Sequence, residues 1–378
     1  MNILFQTGSY PPKGGTDFFV ATISKKLAER GHNVSVLSHK LKNEKFIDHK
    51  ENGVNIYYTQ SIPRKRFFIP FYFLRFLVLF YKANKIVSKE KIDTIVLNEH
   101  EMLPFVPFKL KGVKIILRGG GLFLVSINRY MKDEIGDNIY TKFVYKISQL
   151  YHYFVSLFPD AIAPVNESEK DYFNIYNKRH VKVIPHGVDT DLFKPLKKKK
   201  KNNKIIIGCV GRLCKIKFPE DNLRIFSEIS KKTGKKLEFW WIGPLDKAFP
   251  KDFWNNLVKK YHLEGKAKWL GEIKNKDLPK YLGKMDIFSN IENQSNVSRV
   301  NAEAASCGLP VLDLNTGKEK YGFFTSLEQD FKKELLKLVE DDKYRKVMGK
   351  KAREVVIKEY SDNAMASKYE DFIKEIQK

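Results

Sequence analysis

Short apolar runs rich in β-branched residues alternate with longer helical stretches, and this alternation limits the fold more than any other feature. Asn2 to Gln6, Asn33 to Ser38, Val54 to Thr59, Thr94 to Leu97, Val113 to Leu117, Ala161 to Pro164 and Val181 to Ile184 read as strands. Between them, stretches such as Thr16 to Arg30 have helical spacing, and that one stops at Gly31. The fold class is therefore α/β, with parallel sheets and helices on both faces. A chain of 378 residues fits two such domains. Five consecutive lysines, Lys197 to Lys201, interrupt the pattern, and a run of like charges reads as an exposed linker. Strands are expected again at Lys204 to Val210, Leu237 to Ile242, Ala267 to Leu270, Asp286 to Asn290 and Pro310 to Leu314. Tyr344 to Lys378 reads as helix with a break near Tyr360-Ser361-Asp362. The expected division is a first domain over 1–196, a linker over 197–203 and a second domain over 204–361.

The charge balance narrows the partners. Lys plus Arg is 69 against 44 Asp plus Glu, a net charge of +25. Such an excess suits an anionic partner, or it is Lys on solvated faces. No zinc spacing, helix-turn-helix signature or aromatic RNP-like strand accompanies it, so nucleic acid is set aside. Cys209, Cys214 and Cys307 give neither a disulfide framework nor a metal pair. A cytoplasmic setting is expected, and Met1 to Phe5 reads as a first strand rather than a signal peptide. No run reaches the roughly 18 to 20 apolar residues of a membrane span. Phe67 to Tyr81 (FFIPFYFLRFLVLFY) comes nearest. Arg64, Lys65 and Arg66 precede it, and Arg75, Lys82 and Lys89 recur every seven residues, on one face if helical. This is the pattern of a helix lying in an anionic membrane interface. The alternative is a buried helix whose basic ends reach water.

Three strand-to-helix junctions carry candidate chemistry. Tyr10-Pro11-Pro12-Lys13-Gly14-Gly15-Thr16 follows the first strand, and paired glycines let backbone approach a ligand at a helix start. Gly211-Arg212-Leu213-Cys214-Lys215-Ile216-Lys217 follows the first strand of the second half. Arg212 and Lys217 there are two cations placed for a diphosphate. Ser295-Asn296-Val297-Ser298-Arg299 leads into a helix bearing Glu303, then Gly308-Leu309-Pro310 turns into a strand. A carboxylate at Glu303 suits a ribose diol, while the helix start suits phosphate.

Together these segments resemble the retaining glycosyltransferases of the GT-B fold, family 4, over nearly the whole chain. The most specific piece is Val183-Ile184-Pro185-His186-Gly187-Val188-Asp189, followed by Phe193-Lys194-Pro195. The resemblance implies two Rossmann-like domains facing a central cleft, with a terminal helix over 362–378 packing back on the first. It implies a nucleotide sugar on the second domain and the acceptor on the first; the Phe67 to Tyr81 segment and the net charge favour a lipid-linked acceptor, with a glycan as the other expectation. Arg212 and Lys217 would clamp the diphosphate, Glu303 would hold the ribose, and Gly211 with Ser295, Asn296, Val297, Ser298 and Arg299 would complete the donor site. Gly14, Gly15 and Thr16 would line the acceptor side. It further implies retention of configuration, no metal and no cofactor beyond the donor. Fixed cations and a helix dipole would carry the charge of the leaving diphosphate.

Two departures from the family pattern stand out. Ser295 occupies the place of a customary first Glu, and Glu292 lies three residues earlier. Arg118, with Gly119 to Gly121, follows a strand where the family often has a His, and His100 is the nearest histidine for a polar role. The leading expectation is an enzyme of cell-surface polysaccharide or glycoconjugate synthesis, peripheral on the inner membrane face. The alternative is a catalytically silent sugar-nucleotide-binding subunit.

Overall fold

The computed structural model describes residues 1–12, 15–39, 46–59, 69–98, 103–119, 138–140, 142–143, 146–147, 150, 153, 157–176, 180–196, 204–291, 299–314 and 320–378. The chain divides into two compact units, Met1–Gly187 with Met365–Lys378, and Val188–Ala364.

The first unit is built on eight strands: β1 (Asn2–Gln6), β2 (Asn33–His39), β3 (His49–Glu51), β4 (Val54–Thr59), β5 (Thr94–Asn98), β6 (Lys114–Arg118), β7 (Ala161–Ala163) and β8 (His180–Val181). Their order is β3-β4-β2-β1-β5-β6-β7-β8, parallel except for the β3–β4 hairpin. The hairpin turns on Asn52 and Gly53, both at positive φ, the residue pair that suits a two-residue turn. The sequence reading passed over β3, because a three-residue exposed strand has no apolar pattern to show.

Alternation along the strands sends side chains to opposite faces. Ile3 and Phe5 of β1 join one core, and Leu4 joins the other. Helix α1 (Gly15–Glu29) covers the first face with Phe19, Val20, Ile23 and Leu27. Helix α2 (Ile69–Lys89) covers the second with Leu79, Ala83 and Ile86. A short helix, α3 (Glu167–Tyr176), adds Phe173 to that second core.

The second unit holds β9 (Lys204–Val210), β10 (Lys236–Ile242), β11 (Ala267–Trp269), β12 (Ile287–Ile291), β13 (Val311–Leu314) and β14 (Phe323–Thr325). The order is β11-β10-β9-β12-β13-β14, all parallel. Counted within the unit this is 3-2-1-4-5-6, the doubly wound dinucleotide-binding order. Its helices are α4 (Pro219–Lys232), α5 (Phe253–Lys260), α6 (Leu278–Leu282), α7 (Arg299–Ser306), α8 (Glu328–Glu340) and α9 (Asp342–Val355). Ile205, Ile207 and Cys209 of β9 face the core under α4, α5 and α8, while Ile206 and Val210 face the core of α7.

The division between units falls at Gly187 rather than in the lysine run. Val188 and Phe193 are fully buried in a core of the second unit. The amide of Val188 donates to the Tyr360 carbonyl, and the Ser306 hydroxyl donates to the Phe193 carbonyl at 2.5 Å. Apolar anchors, not the charged stretch, set the boundary. Residues 197–203 lie outside the described residues.

The final helix, α10 (Asp362–Gln377), follows the break at Ser361 and places Met365, Ala366, Tyr369, Phe372 and Ile373 in the core under α1. Phe372→Ala should therefore cost about 3–5 kcal/mol of unfolding free energy. Exposed Lys350→Ala should stay within about 0.5 kcal/mol. Urea denaturation of both variants beside the parent checks the pair.

Candidate functional site

Ligands of doubly wound sheets bind beyond the carboxyl ends of the strands, where the strand order reverses. In the second unit that point lies between β9 and β12. The turn after β9 starts at Gly211, and its shape is set by the neighbouring strand end. The Gly211 amide donates to the Ile242 carbonyl at 2.8 Å, and the Trp241 indole donates to the Gly211 carbonyl at 2.9 Å. Gly243 follows at φ 146°, where a Cβ would stand 2.1 Å from the Gly211 oxygen. Glycine is therefore required at 243 by contact as well as by conformation. The Leu213 amide donates to the Pro244 carbonyl at 2.8 Å and completes the pairing of the two turns.

This pairing presents the two predicted cations. Lys217 ends a 3-10 turn, and its aliphatic stem lies along Gly211, 3.1 Å from where a Cβ there would sit. Arg212 is exposed and reaches Asp246 at 3.4 Å. The Ala248 amide holds the Asp246 carboxyl below the usual carboxylate range, and Arg212 adds to this. Asn222 of α4 donates to the carbonyls of Lys217 and Phe218 at 3.0 and 2.9 Å, which closes the turn from below. Cys214 is half-buried, and burial pushes its thiol up, so it is not poised as a nucleophile.

Across the switch point, α7 begins at Arg299, and Glu303 lies one turn on. Only 2% of Glu303 is exposed. The Arg299 guanidinium stands 3.1 Å from its Oε1, while Oε2 is buried with no hydrogen-bond partner among the described residues. Burial pushes the carboxyl up, and Arg299 together with the Asn275 side chain offsets this only in part. The small run Ala304-Ala305-Ser306 is buried where α7 packs over the sheet.

Beneath α7 lies a polar set that sequence reasoning missed. Asn290 of β12, Asn301 of α7 and Asp313 of β13 are fully buried. The Asn290 amide donates to Asn301 Oδ1 at 3.3 Å and to Asp313 Oδ2 at 3.4 Å. Each is ordinary in sequence, and only the register of β12 with β13 brings Asn290 opposite Asp313.

The first unit has its own switch point between β1 and β5. Asp17, in the first turn of α1, accepts from the Thr7 and Ser9 hydroxyls at 2.6 Å each and from the Ser9 amide at 3.1 Å. It ties the loop after β1 to the helix. Gly15 and Thr16 open α1, with their side-chain positions outside the description, and Gly14 lies outside the described residues. So do His100, Ser295, Asn296, Val297 and Ser298.

Arg118 departs from its expected role. It ends β6 at 1% exposure, stacked over the Phe19 ring at 3.7 Å. Its Nη2 lies 3.1 Å from His186 Nδ1. Tyr369 stands beside the same Phe19 ring, with centroids 5.5 Å apart, and burial pushes its phenol up to about 12 while Arg118 opposes the shift. Arg118 therefore braces α1, α10 and the Pro185-His186-Gly187 segment and has no open face for an acceptor. Gly119 also has an internal reason: a Cβ there would meet Glu169 Oε2 at 2.2 Å. His186 was legible only as an unusual residue inside a family stretch.

The helix from Phe67 to Tyr81 is partly as expected. Residues 67 and 68 lie outside the described residues. Lys82 pairs with Asp48 at 2.5 Å, and Lys89 donates to the Tyr57 hydroxyl at 3.2 Å. Lys82 is half-buried and Lys89 is exposed, and the side chain of Arg75 lies outside the described residues. Leu74, Leu77 and Tyr81 form the exposed side. No helix among the described residues is long and apolar enough to cross a membrane, and no cluster of His, Cys, Asp and Glu among them could hold a metal ion.

Comparison with known proteins agrees with this geometry. Residues 13–192 match the family model "Glycosyltransferase Family 4", and residues 191–355 match "Glycosyl transferases group 1". The two matches run end to end through both units, and the chain is a glycosyltransferase-class protein of the GT-B fold, similar to family 4. It is 24% identical over 82% of its length to the phosphatidylinositol N-acetylglucosaminyltransferase GPI3 subunit of Saccharomyces cerevisiae, and spans 66% of that relative. It is 22% identical over 96% of its length to the N-acetyl-alpha-D-glucosaminyl L-malate synthase of Bacillus anthracis, covering 94% of it. Among solved structures, a sucrose-phosphate synthase from Thermosynechococcus elongatus superposes with a TM-score of 0.73 at 16% identity, over 99% of this chain and 98% of that one. HepE of Anabaena, solved in complex with UDP, gives 0.69 at 14% identity, over 99% and 100%.

The raised carboxyl of Glu303 has a measurable consequence. A group whose folded pKa is raised adds stability while protonated and loses it as pH rises through the folded value. Glu303→Gln should gain on the parent as pH climbs from 4.5 to 8. Melting temperatures across that range check the sign. A difference that stays constant with pH would contradict the buried, raised carboxyl.

Proposed function

We propose that the protein transfers a sugar from a nucleotide sugar to a lipid-linked or glycan acceptor, with retention of configuration and without a metal. The observation that carries the reading is the switch point of the second sheet. The Gly211–Lys217 turn with its two cations ends β9, and α7 with the unpartnered Oε2 of Glu303 follows the adjacent β12. Fixed positive charge suits a diphosphate that gains charge as the glycosidic bond breaks. A buried acceptor oxygen lacking a donor suits a ribose diol. UDP in the HepE complex and the phosphatidylinositol acceptor named in the yeast relative support this substrate class, while the malate synthase relative speaks for a small soluble acceptor. In this reading Arg212 and Lys217 hold the leaving diphosphate, Glu303 orients the nucleoside, and the first unit receives the acceptor. Its place of work is the cytoplasmic membrane face.

The test is a thermal-shift panel with UDP, GDP, ADP and dTDP and their sugars. A ligand that binds only the folded state stabilises by mass action, about 2.7 kcal/mol at a hundred times its Kd. One nucleotide should raise the melting temperature of the parent and leave Lys217→Ala and Glu303→Ala nearly unmoved. Hydrolysis or transfer of the matching sugar, followed by NMR of the product anomer with and without EDTA, then reads retention and metal dependence. If a nucleotide binds and no transfer occurs with any lipid or glycan acceptor, Ser295 gains weight and the silent-subunit reading replaces the enzyme.

A further inference from the structure

A cavity of about 800 Å³ opens in the second unit, and every residue that lines it belongs to that unit. Asp286 and Pro310 are in its lining, and they immediately precede β12 and β13. The cavity therefore lies at the amino ends of these parallel strands, whereas the Gly211–Lys217 turn follows the carboxyl end of β9. The five residues of β12 set the two ends of the sheet about 16 Å apart. Close packing holds the walls. A Cβ on Gly349 of α9 would stand 2.2 Å from the Gly308 carbonyl oxygen, and one on Gly283 would stand 3.0 Å from Leu196 Cδ1. Glycine at 349 lets α9 rest directly on the turn between α7 and β13, and the cavity lies beside that contact.

The lining divides by chemistry. Pro195, Leu196, Leu309, Pro310 and Ile357 form an apolar side, and Leu196 and Ile357 are exposed there. Arg345, Lys346, Lys350 and Arg353 of α9 form a cationic side. Three carboxylates share the lining, and two of them are engaged. Asp286 accepts from the Ile206 amide at 3.0 Å, and Asp342 pairs with Arg345. The third, Glu354, stands 3.9 Å from Lys350 with both side chains largely exposed, a pair that holds little. Arg353 gives its Nη1 to the carbonyls of Phe193, at 3.1 Å, and Ser306, which are neutral and leave its charge standing. Lys346 makes no ion pair among the described residues. Lys346, Lys350 and Arg353 recur at the spacing of one helical face, where like charges one turn apart repel. An anion between them relieves that repulsion.

We propose that this cavity binds a small organic anion, a phosphate or carboxylate carried on an apolar body, at a site separate from the donor turn. The volume falls in the range of small-ligand sites, roughly 300–1,000 Å³. The head group meets Lys346, Lys350 and Arg353, and the body lies against the prolines, Leu309 and Ile357. A bare inorganic anion leaves the apolar side wet, and a neutral apolar molecule leaves the cations unused, so the two halves of the lining together select an amphipathic anion. The site does not depend on the donor reading, because none of its residues belongs to the turn after β9 or to the first turn of α7.

The experiment is titration of the full chain, followed by calorimetry and ligand-observed NMR, with phenyl phosphate, benzoate, inorganic phosphate and phenol. Phenyl phosphate or benzoate should bind saturably, and the tighter of the two names the head group. Inorganic phosphate and phenol should each bind at least about tenfold more weakly. Lys346→Glu with Lys350→Glu alters exposed side chains only, should keep the parent's melting temperature and should weaken the anion at least about tenfold. Ile357→Ser should weaken phenyl phosphate several-fold and leave inorganic phosphate unchanged. Arg212→Ala with Lys217→Ala should bind phenyl phosphate as the parent does. A parent that binds neither organic anion overturns the proposal, and so does a lysine pair variant that binds like the parent. Phenol binding as tightly as phenyl phosphate, or loss of binding in the Arg212 and Lys217 variant, overturns it as well. The nucleotide panel reads the other proposal separately. Phenyl phosphate binding through Lys346 and Lys350 without any nucleotide response overturns the donor reading and keeps this site, and a nucleotide response with no binding here does the reverse.

Discussion

The close approach of Gly243 to Gly211 governs the second unit's chemistry. Two strand ends meet there backbone to backbone, with a carbonyl where a side chain at 243 would have to be. Two tryptophans secure the approach, Trp241 bonding the Gly211 carbonyl and Trp269 the Gly243 carbonyl at 2.8 Å. Held on this side by β10 and on the other by Asn222 of α4, the turn from 211 to 217 has little freedom left. Arg212 and Lys217 can then be flexible side chains on a fixed base. Electrostatic stabilisation needs this arrangement, because charges that must first be gathered give part of their effect back in reorganisation.

Glu303 follows the opposite logic. The fold buries a carboxyl, raises its pKa and leaves one oxygen without a donor. Left as it is, this costs stability. Native proteins keep such features at sites where a ligand supplies what the fold withholds. The buried Asn290, Asn301 and Asp313 below it are the contrasting case, polar groups bonded to one another that tie α7 to β12 and β13. The lower set ties helix to sheet through its mutual hydrogen bonds, and the Glu303 oxygen at the start of α7 suits recognition.

Much of this was legible in the residues, and the reasons differ by element. Long apolar runs such as Lys204 to Val210 declared themselves because a strand buried on both faces needs no polar alternation. The glycine turn after β9 was readable because an apolar run that ends in glycine before a helical stretch marks a strand-to-helix junction. The short strands β3 and β14 were not: β3 is exposed and carries no apolar residue, and β14 is only half-buried. The Asn52-Gly53 pair was the available sign for the first of them. The lysine run misled about the boundary because charge reports solvation, whereas Phe193 and Val188 report packing. Arg118 misled for a related reason. A guanidinium at a strand end looks like a ligand group until its neighbours are known, and here Phe19 stacks on it and His186 takes its Nη2.

The net charge is likewise resolved only by structure. Many of the lysines are already spoken for: Lys82 by Asp48, Lys89 by Tyr57, Lys332 by Glu228 and Glu328. Such surface pairs add little stability each, and the net excess remains after all of them are formed. What distinguishes a site from a solvated face is the company a cation keeps. Arg212 and Lys217 stand at the carboxyl ends of parallel strands, on a turn that only glycine permits. That setting suits a small anion held by geometry, which a cation on a solvated face does not.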